Sequence, residues 1–119
     1  MNGFPGEIRQ VISNLVVNAL EAVPMNKGRL LLHSFPSSHW QSRTAGVRVV
    51  IADNGGGIHP KHRARIFEPF FTTKPKGTGV GLWTTRRLLH VLGGSIRFHT
   101  RFHPERGGTC FGIFLPAAV

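Results

Sequence analysis

Asn14 and Asn18 stand four residues apart inside a largely apolar run from Val11 to Ala22. On a helix that spacing sets them roughly 40° apart, so both amides can face one cleft. Amide oxygens suit a hard cation and its waters; two plain surface amides are the ordinary alternative. Glu21 extends the same stripe, as a supporting group or a solvent-facing charge. Asp53, the only Asp in the chain, directly follows the apolar stretch Val47 to Ala52 and precedes Asn54-Gly55-Gly56-Gly57. A carboxylate at the end of a strand can accept a hydrogen bond from the exocyclic amine of a base. The glycines beside it let the backbone bend and a flat ligand approach. An Asx-turn that ends the strand would use the same residues.

Gly77-Thr78-Gly79-Val80-Gly81, preceded by Lys74 and Lys76, is a second candidate. Glycine-rich backbone at a helix N-terminus offers free N–H groups and a positive dipole end, which suits phosphate. Its spacing matches neither the dinucleotide fingerprint nor the P-loop, so alone it is a weak sign. Phe67, Phe70 and Phe71 lie beside this segment without a period, either folding over a ligand or forming a small satellite core. None of the seven histidines has metal-ligand spacing with a convincing second ligand, His59 and His62 included.

These groups need elements to hold them. Residues 6 to 23 have a helical period, with Ile8, Val11, Ile12, Leu15, Ala19 and Ala22 mostly three or four apart, and Pro24 stops them. Leu30 to Phe35 and Val47 to Ala52 are expected strands, joined by a polar connection containing Pro36, Ser37, Ser38 and Gly46. Pro60 suits the start of one or two helical turns over residues 60 to 66. A loop is expected from Pro69 to Thr78. A second helix follows from about Gly79 to Leu92, with Leu82, Thr85, Leu88, Leu89 and Leu92 on one arc, and Gly93-Gly94 ends it. The next strand alternates Ile96, Phe98, Thr100 and Phe102 with Arg97, His99 and Arg101. A turn at residues 103 to 108 returns the chain into a last strand, Thr109 to Leu115. Two helices framing two antiparallel hairpins make an α/β sandwich with the helices on one face of the sheet.

The 119 residues suffice for one domain, and 40% apolar with 17% charged residues is a globular balance. No run approaches the roughly 18 apolar residues of a membrane span, and the N-terminus lacks a signal-peptide pattern. A lone Cys110 excludes an intrachain disulfide and a cysteine zinc cage, in keeping with a reducing compartment. The formal charge of +10 suits a polyanion, and Lys61, Arg63, Arg65, Lys74, Lys76, Arg86 and Arg87 cluster with Glu68 as the only acid between them. A solvated basic face would have the same composition.

In order along the chain, these segments resemble the motifs of the sensor histidine kinases. Gln10 to Ala22 resembles their N box, and Asp53-Asn54-Gly55-Gly56-Gly57-Ile58 their first glycine box. Ile66 to Lys74 resembles the F box, Gly77 to Leu82 the second glycine box, and Gly107 to Pro116 the closing strand. The similarity covers nearly the whole chain and is to the catalytic ATP-binding domain of the GHKL superfamily. Its short lid containing the F box favours the nitrogen-regulation-like subgroup.

The resemblance implies a two-layer α/β sandwich of the Bergerat type, with a mixed, mostly antiparallel sheet. It implies a single catalytic domain over residues 1–119 that binds ATP and Mg2+. Asn18 would hold the magnesium, with Asn14 near the same cluster, and Lys74 would act on the phosphates. Asp53 would bind the adenine amine with support from Thr109, and Gly55 and Gly57 would let the chain pass beneath the base. The backbone of Gly77, Gly79 and Gly81 would hold phosphate, and Ile58, Phe67, Thr78 and Leu82 would complete the nucleotide contacts. Trp83 departs from the family, where many members carry a small residue.

The implied reaction is transfer of the γ-phosphoryl group to a histidine on a separate dimerisation domain, with a response regulator downstream. No histidine here is followed directly by Asp or Glu, as the phosphoacceptor would be, so acceptor and signal input are expected elsewhere in a longer parent. The domain is expected in the cytoplasm, without nucleic-acid or membrane contact of its own, whether or not the parent is anchored. Three other readings stay open. An ATPase or clamp of the gyrase type usually has Glu at the position of Asn14. An anti-sigma-factor serine kinase shares the pocket. A basic nucleic-acid module would need stacking aromatics on an exposed sheet face.

Overall fold

The computed structural model describes residues 5–38, 45–73 and 81–117. Val11, Leu15 and Ala19 recur every fourth residue and are buried, so this stripe seats helix α1, Pro5–Ala22, on the sheet. Strands β1, Leu30–Ser38, and β2, Ala45–Asp53, follow. A 3-10 turn at Pro60–His62 precedes helix α2, Gly81–Val91. Strands β3, Ser95–Arg101, and β4, Gly108–Pro116, close the chain. The sheet order is β1-β2-β4-β3.

All three pairings are antiparallel, so among the described strands the sheet is not mixed as expected. The outer pairs are hairpins, and β4 returns beside β2 in the opposite direction. A second difference lies in β1. Pro36, Ser37 and Ser38 were expected in the connection, yet they continue the ladder opposite Val47, Gly46 and Ala45. Among the described strands β1 lies at the edge and bonds on one side only, which is where a sheet tolerates proline.

Alternation decides the faces. In β4, Thr109, Phe111, Ile113 and Leu115 are buried, and the last three join Val49 and Ile51 of β2 in the core. α1 contributes Val11, Leu15 and Ala19 to this core, α2 contributes Leu89, and the loop before α2 contributes Ile66. α2 ends as Gly93-Gly94 predicts: Gly93 takes φ 77°, its N–H bonds to the His90 carbonyl, and the Gly94 N–H bonds to that of Leu89. That pattern satisfies the last carbonyls of the helix and needs a residue without Cβ. Its expected start at Gly79 lies outside the described residues. No helix among those described is long and apolar enough to cross a membrane.

Candidate functional site

The C-terminal half of α1, the loop after β2, the Pro60–His62 turn and the start of α2 surround a cleft of about 820 Å³. That volume suits a ligand of nucleotide size. Asn14, Asn18 and Glu21 line its α1 wall, with Ala22 beyond them. Helical spacing aligns them in one stripe beside the buried stripe of Val11, Leu15 and Ala19, so they meet the cleft at the edge of the core.

Asp53 and Thr109 line the same cleft. They are direct partners across β2 and β4, so the sheet register alone brings them together. Asp53 Oδ1 accepts a hydrogen bond from the Gly55 N–H at 2.9 Å. The Asx-turn and the cleft-lining carboxylate are therefore one arrangement. Thr109 is buried, and its hydroxyl shares a 2.9 Å hydrogen bond with the Thr100 hydroxyl. Thr100 Oγ1 also accepts from the Ile58 N–H at 2.9 Å, so the glycine loop is tied to the β3–β4 hairpin.

The glycines have separate tasks. Gly57 takes φ 84°, and a Cβ there would collide with the Arg101 carbonyl. Gly55 is buried, and a Cβ would collide with the Ala22 carbonyl at the end of α1. It lets the loop pass under the helix; of the two, only Gly57 lines the cleft. Asn54 fastens the loop from outside, accepting from the Arg29 N–H at 2.7 Å and donating to the Lys27 carbonyl at 2.8 Å.

Ile58, Gly81 and Leu82 also line the cleft. Phe67 does not: its ring meets Phe98 at 6.0 Å, with the Arg86 guanidinium 5.2 Å from its centroid. Phe71 lines the cleft in its place, with Arg65 4.6 Å above its ring. Lys74, Gly77, Thr78 and Gly79 lie outside the described residues. Asn14 has partners on two sides. Its Oδ1 accepts from Gln10 Nε2 at 2.8 Å, while its Nδ2 donates to Thr85 Oγ1 at 3.2 Å and to the Gly81 carbonyl at 3.4 Å.

Three cleft residues were given no site role by the sequence. His59 and His62 flank Lys61 in the 3-10 turn, and Phe102 projects from the β3–β4 connection. Period-two alternation assigned Phe102 to the sheet, but the β3 ladder ends one residue earlier. The His62 pKa is lowered, first by desolvation and then by the positive charge of Lys61, His59 and Arg65. Burial and the nearby Asp53 carboxylate raise that of the Cys110 thiol. No group of three or more His, Cys, Asp or Glu among the described residues could hold a metal ion. A hard cation takes oxygen ligands, and the side chains of Asn14, Asn18 and Glu21 offer them along the α1 wall.

Residues 3–119 match the family described as histidine kinase-, DNA gyrase B-, and HSP90-like ATPase. The chain belongs to this family. It is an ATP-binding catalytic domain of the kind found in two-component sensor histidine kinases. Sporulation kinase A of Bacillus subtilis (strain 168) is 39% identical over 116 residues, which are 98% of this chain and 18% of that kinase. The chain thus spans under a fifth of that relative. The catalytic domain of histidine kinase ThkA, in a nucleotide-free form, superposes with a TM-score of 0.75 at 36% identity, covering 93% of this chain and 66% of that one. The mycobacterial sensor histidine kinase MprB gives a TM-score of 0.81 at 26% identity, over 96% and 74%.

Proposed function

We propose that the domain binds Mg·ATP in this cleft and donates the γ-phosphoryl group to a histidine on a separate dimerisation domain of a longer kinase. The observation that carries the reading is the pairing of Asp53 with Thr109 at one end of a cleft whose α1 wall bears Asn18. Asp53 accepts the adenine amine, supported by Thr109, and the loop carrying Gly57 passes beneath the base. Asn18, on the α1 wall of the cleft, is the residue for magnesium, with Asn14 one turn before it near the same cluster. Magnesium, when bound, neutralises phosphate charge. Lys74 and the backbone of Gly77, Gly79 and Gly81 hold the phosphates, with Ile58, Thr78 and Leu82 at the nucleotide.

Phosphoryl transfer asks a protein mainly for positioning and charge stabilisation, which amides, glycines and lysine supply. The acceptor, the response regulator and the signal input lie outside this segment. The short F-box segment of the sequence favours a parent of the nitrogen-regulation-like subgroup, with this domain on the cytoplasmic side.

Calorimetric titration tests the base assignment. ATP should bind more tightly than GTP, and Asp53→Ala should weaken ATP by about 10- to 150-fold, the effect of losing a hydrogen bond to a charged acceptor. Equal affinities, or an unchanged mutant, would refute the role of Asp53. With labelled ATP, none of the seven histidines should become phosphorylated in the isolated chain. A cognate histidine-bearing hairpin added in trans should be labelled, slowly because the tether is absent. Stoichiometric self-labelling would contradict the donor role.

A further inference from the structure

Phe102 is 52% exposed, and it lines the cleft from a turn. Both flanking residues are anchored on the glycine loop that follows Asp53. The Arg101 carbonyl lies against Gly57, and the His103 N–H donates to the Gly56 carbonyl at 2.9 Å. These anchors hold the Phe102 backbone beside the loop. The ring itself is met edge-on by His59, with centroids 4.9 Å apart and planes at 64°. His59 is held in turn, since its Nδ1 accepts from the Lys61 N–H at 3.1 Å.

The turn is braced as well. His103 Nδ1 accepts from the N–H groups of Glu105 and Arg106 at 3.0 and 2.9 Å. A large aromatic side chain on such a support, half open to a concave site, presents flat apolar area at little further entropic cost. The α1 wall supplies no aromatic group, since Val17 and Ala22 are its apolar members in the cleft.

We propose that Phe102, backed by His59, is the aromatic wall on which the purine of ATP packs, so that the β3–β4 turn contributes to base recognition. This rests on the nucleotide reading above and adds to it an element outside the motif residues. Stacking on an aromatic ring holds a base by its face, while Asp53 reads its edge. The two contributions are therefore separable by mutation.

The test uses the chain as it stands, titrated calorimetrically with Mg·ATP as the parent, as Phe102→Ala and as Phe102→Tyr. Phe102 lies outside β3 and outside the core, so unchanged circular dichroism is expected for both variants. Phe102→Ala should weaken ATP by about 5- to 150-fold, and Phe102→Tyr should retain parental affinity. In the bound complex, nuclear Overhauser contacts should join adenine H2 or H8 to the Phe102 ring. Equal ATP affinity in the parent and Phe102→Ala, or a saturated complex without those contacts, overturns the wall and leaves the nucleotide site standing. A parent that binds no ATP overturns the nucleotide site itself, and the wall with it.

Discussion

Asn14 Nδ2 donates to Thr85 Oγ1 across 3.2 Å, joining the middle of α1 to the first turns of α2. Thr85 has no solvent exposure, and its hydroxyl donates a hydrogen bond to the Gly81 carbonyl at 2.8 Å. A residue that the helical period assigns to the apolar face is thus the polar joint between the two helices. Thr85→Val keeps the shape, removes the hydroxyl and takes an acceptor from Asn14. Urea denaturation should show a loss of about 1–3 kcal/mol with an unchanged m value. Thr85→Ser should recover most of the loss beyond one methyl group, and equal stability of Thr85→Val and the parent would contradict the joint.

Asn14 also bears on the fate of ATP. A general base must take a proton, which a carboxylate can do and an amide cannot. The native domain should hydrolyse ATP very slowly, and Asn14→Glu should release phosphate measurably faster at saturating Mg·ATP. The same change should lower stability, because a carboxylate cannot donate to Thr85 or to the Gly81 carbonyl. A folded, nucleotide-binding Asn14→Glu protein with no faster hydrolysis would remove this role from Asn14.

Gly57 and Gly81 should respond differently to alanine. At Gly57 a Cβ meets the Arg101 carbonyl and φ is 84°, so Gly57→Ala should cost about 1–3 kcal/mol and weaken ATP by displacing the loop from the turn. At Gly81 nothing among the described residues lies within 4 Å of a new Cβ, and Gly81→Ala should leave stability unchanged or raised by up to about 1 kcal/mol. Thermal and urea unfolding of both variants check the contrast.

His62 should titrate below the ordinary imidazole value, because desolvation and the charges of Lys61, His59 and Arg65 all oppose its proton. In the window between the lowered and the ordinary value, the unfolded chain binds the proton and the folded chain does not. Stability therefore falls as pH drops through that window. Following the imidazole Cε1–H by NMR should give the lowered value, and Lys61→Ala should move it back up. A value at or above the ordinary one would contradict this electrostatic picture.

Much of the site was legible because its residues sit at the ends of strongly patterned elements. The stripe of Val11, Leu15 and Ala19 turns Asn14, Asn18 and Glu21 toward the cleft, and the apolar run of β2 delivers Asp53 to its edge. The aromatic loop was not legible in this way. Phe67 and Phe71 belong to one unpatterned segment, and only packing decides that the first faces Phe98 and the second faces the cleft. Pro36 to Ser38 read as a break because proline and serine are poor in a central strand, whereas β1 lies at the edge.

From the amino-acid order alone come the element sequence, the α/β class, the stop at Gly93-Gly94 and the set of polar groups between apolar runs. Those follow from period, covalent neighbours and backbone freedom, which act over a few residues. The pairing of Asn14 with Thr85, the seat of Gly57 against Arg101 and the turn of Phe102 into the cleft were decided by the tertiary structure. Each joins residues more than 40 positions apart, or turns on where a strand ladder ends, and such contacts form only when the sheet register and the helix packing close together.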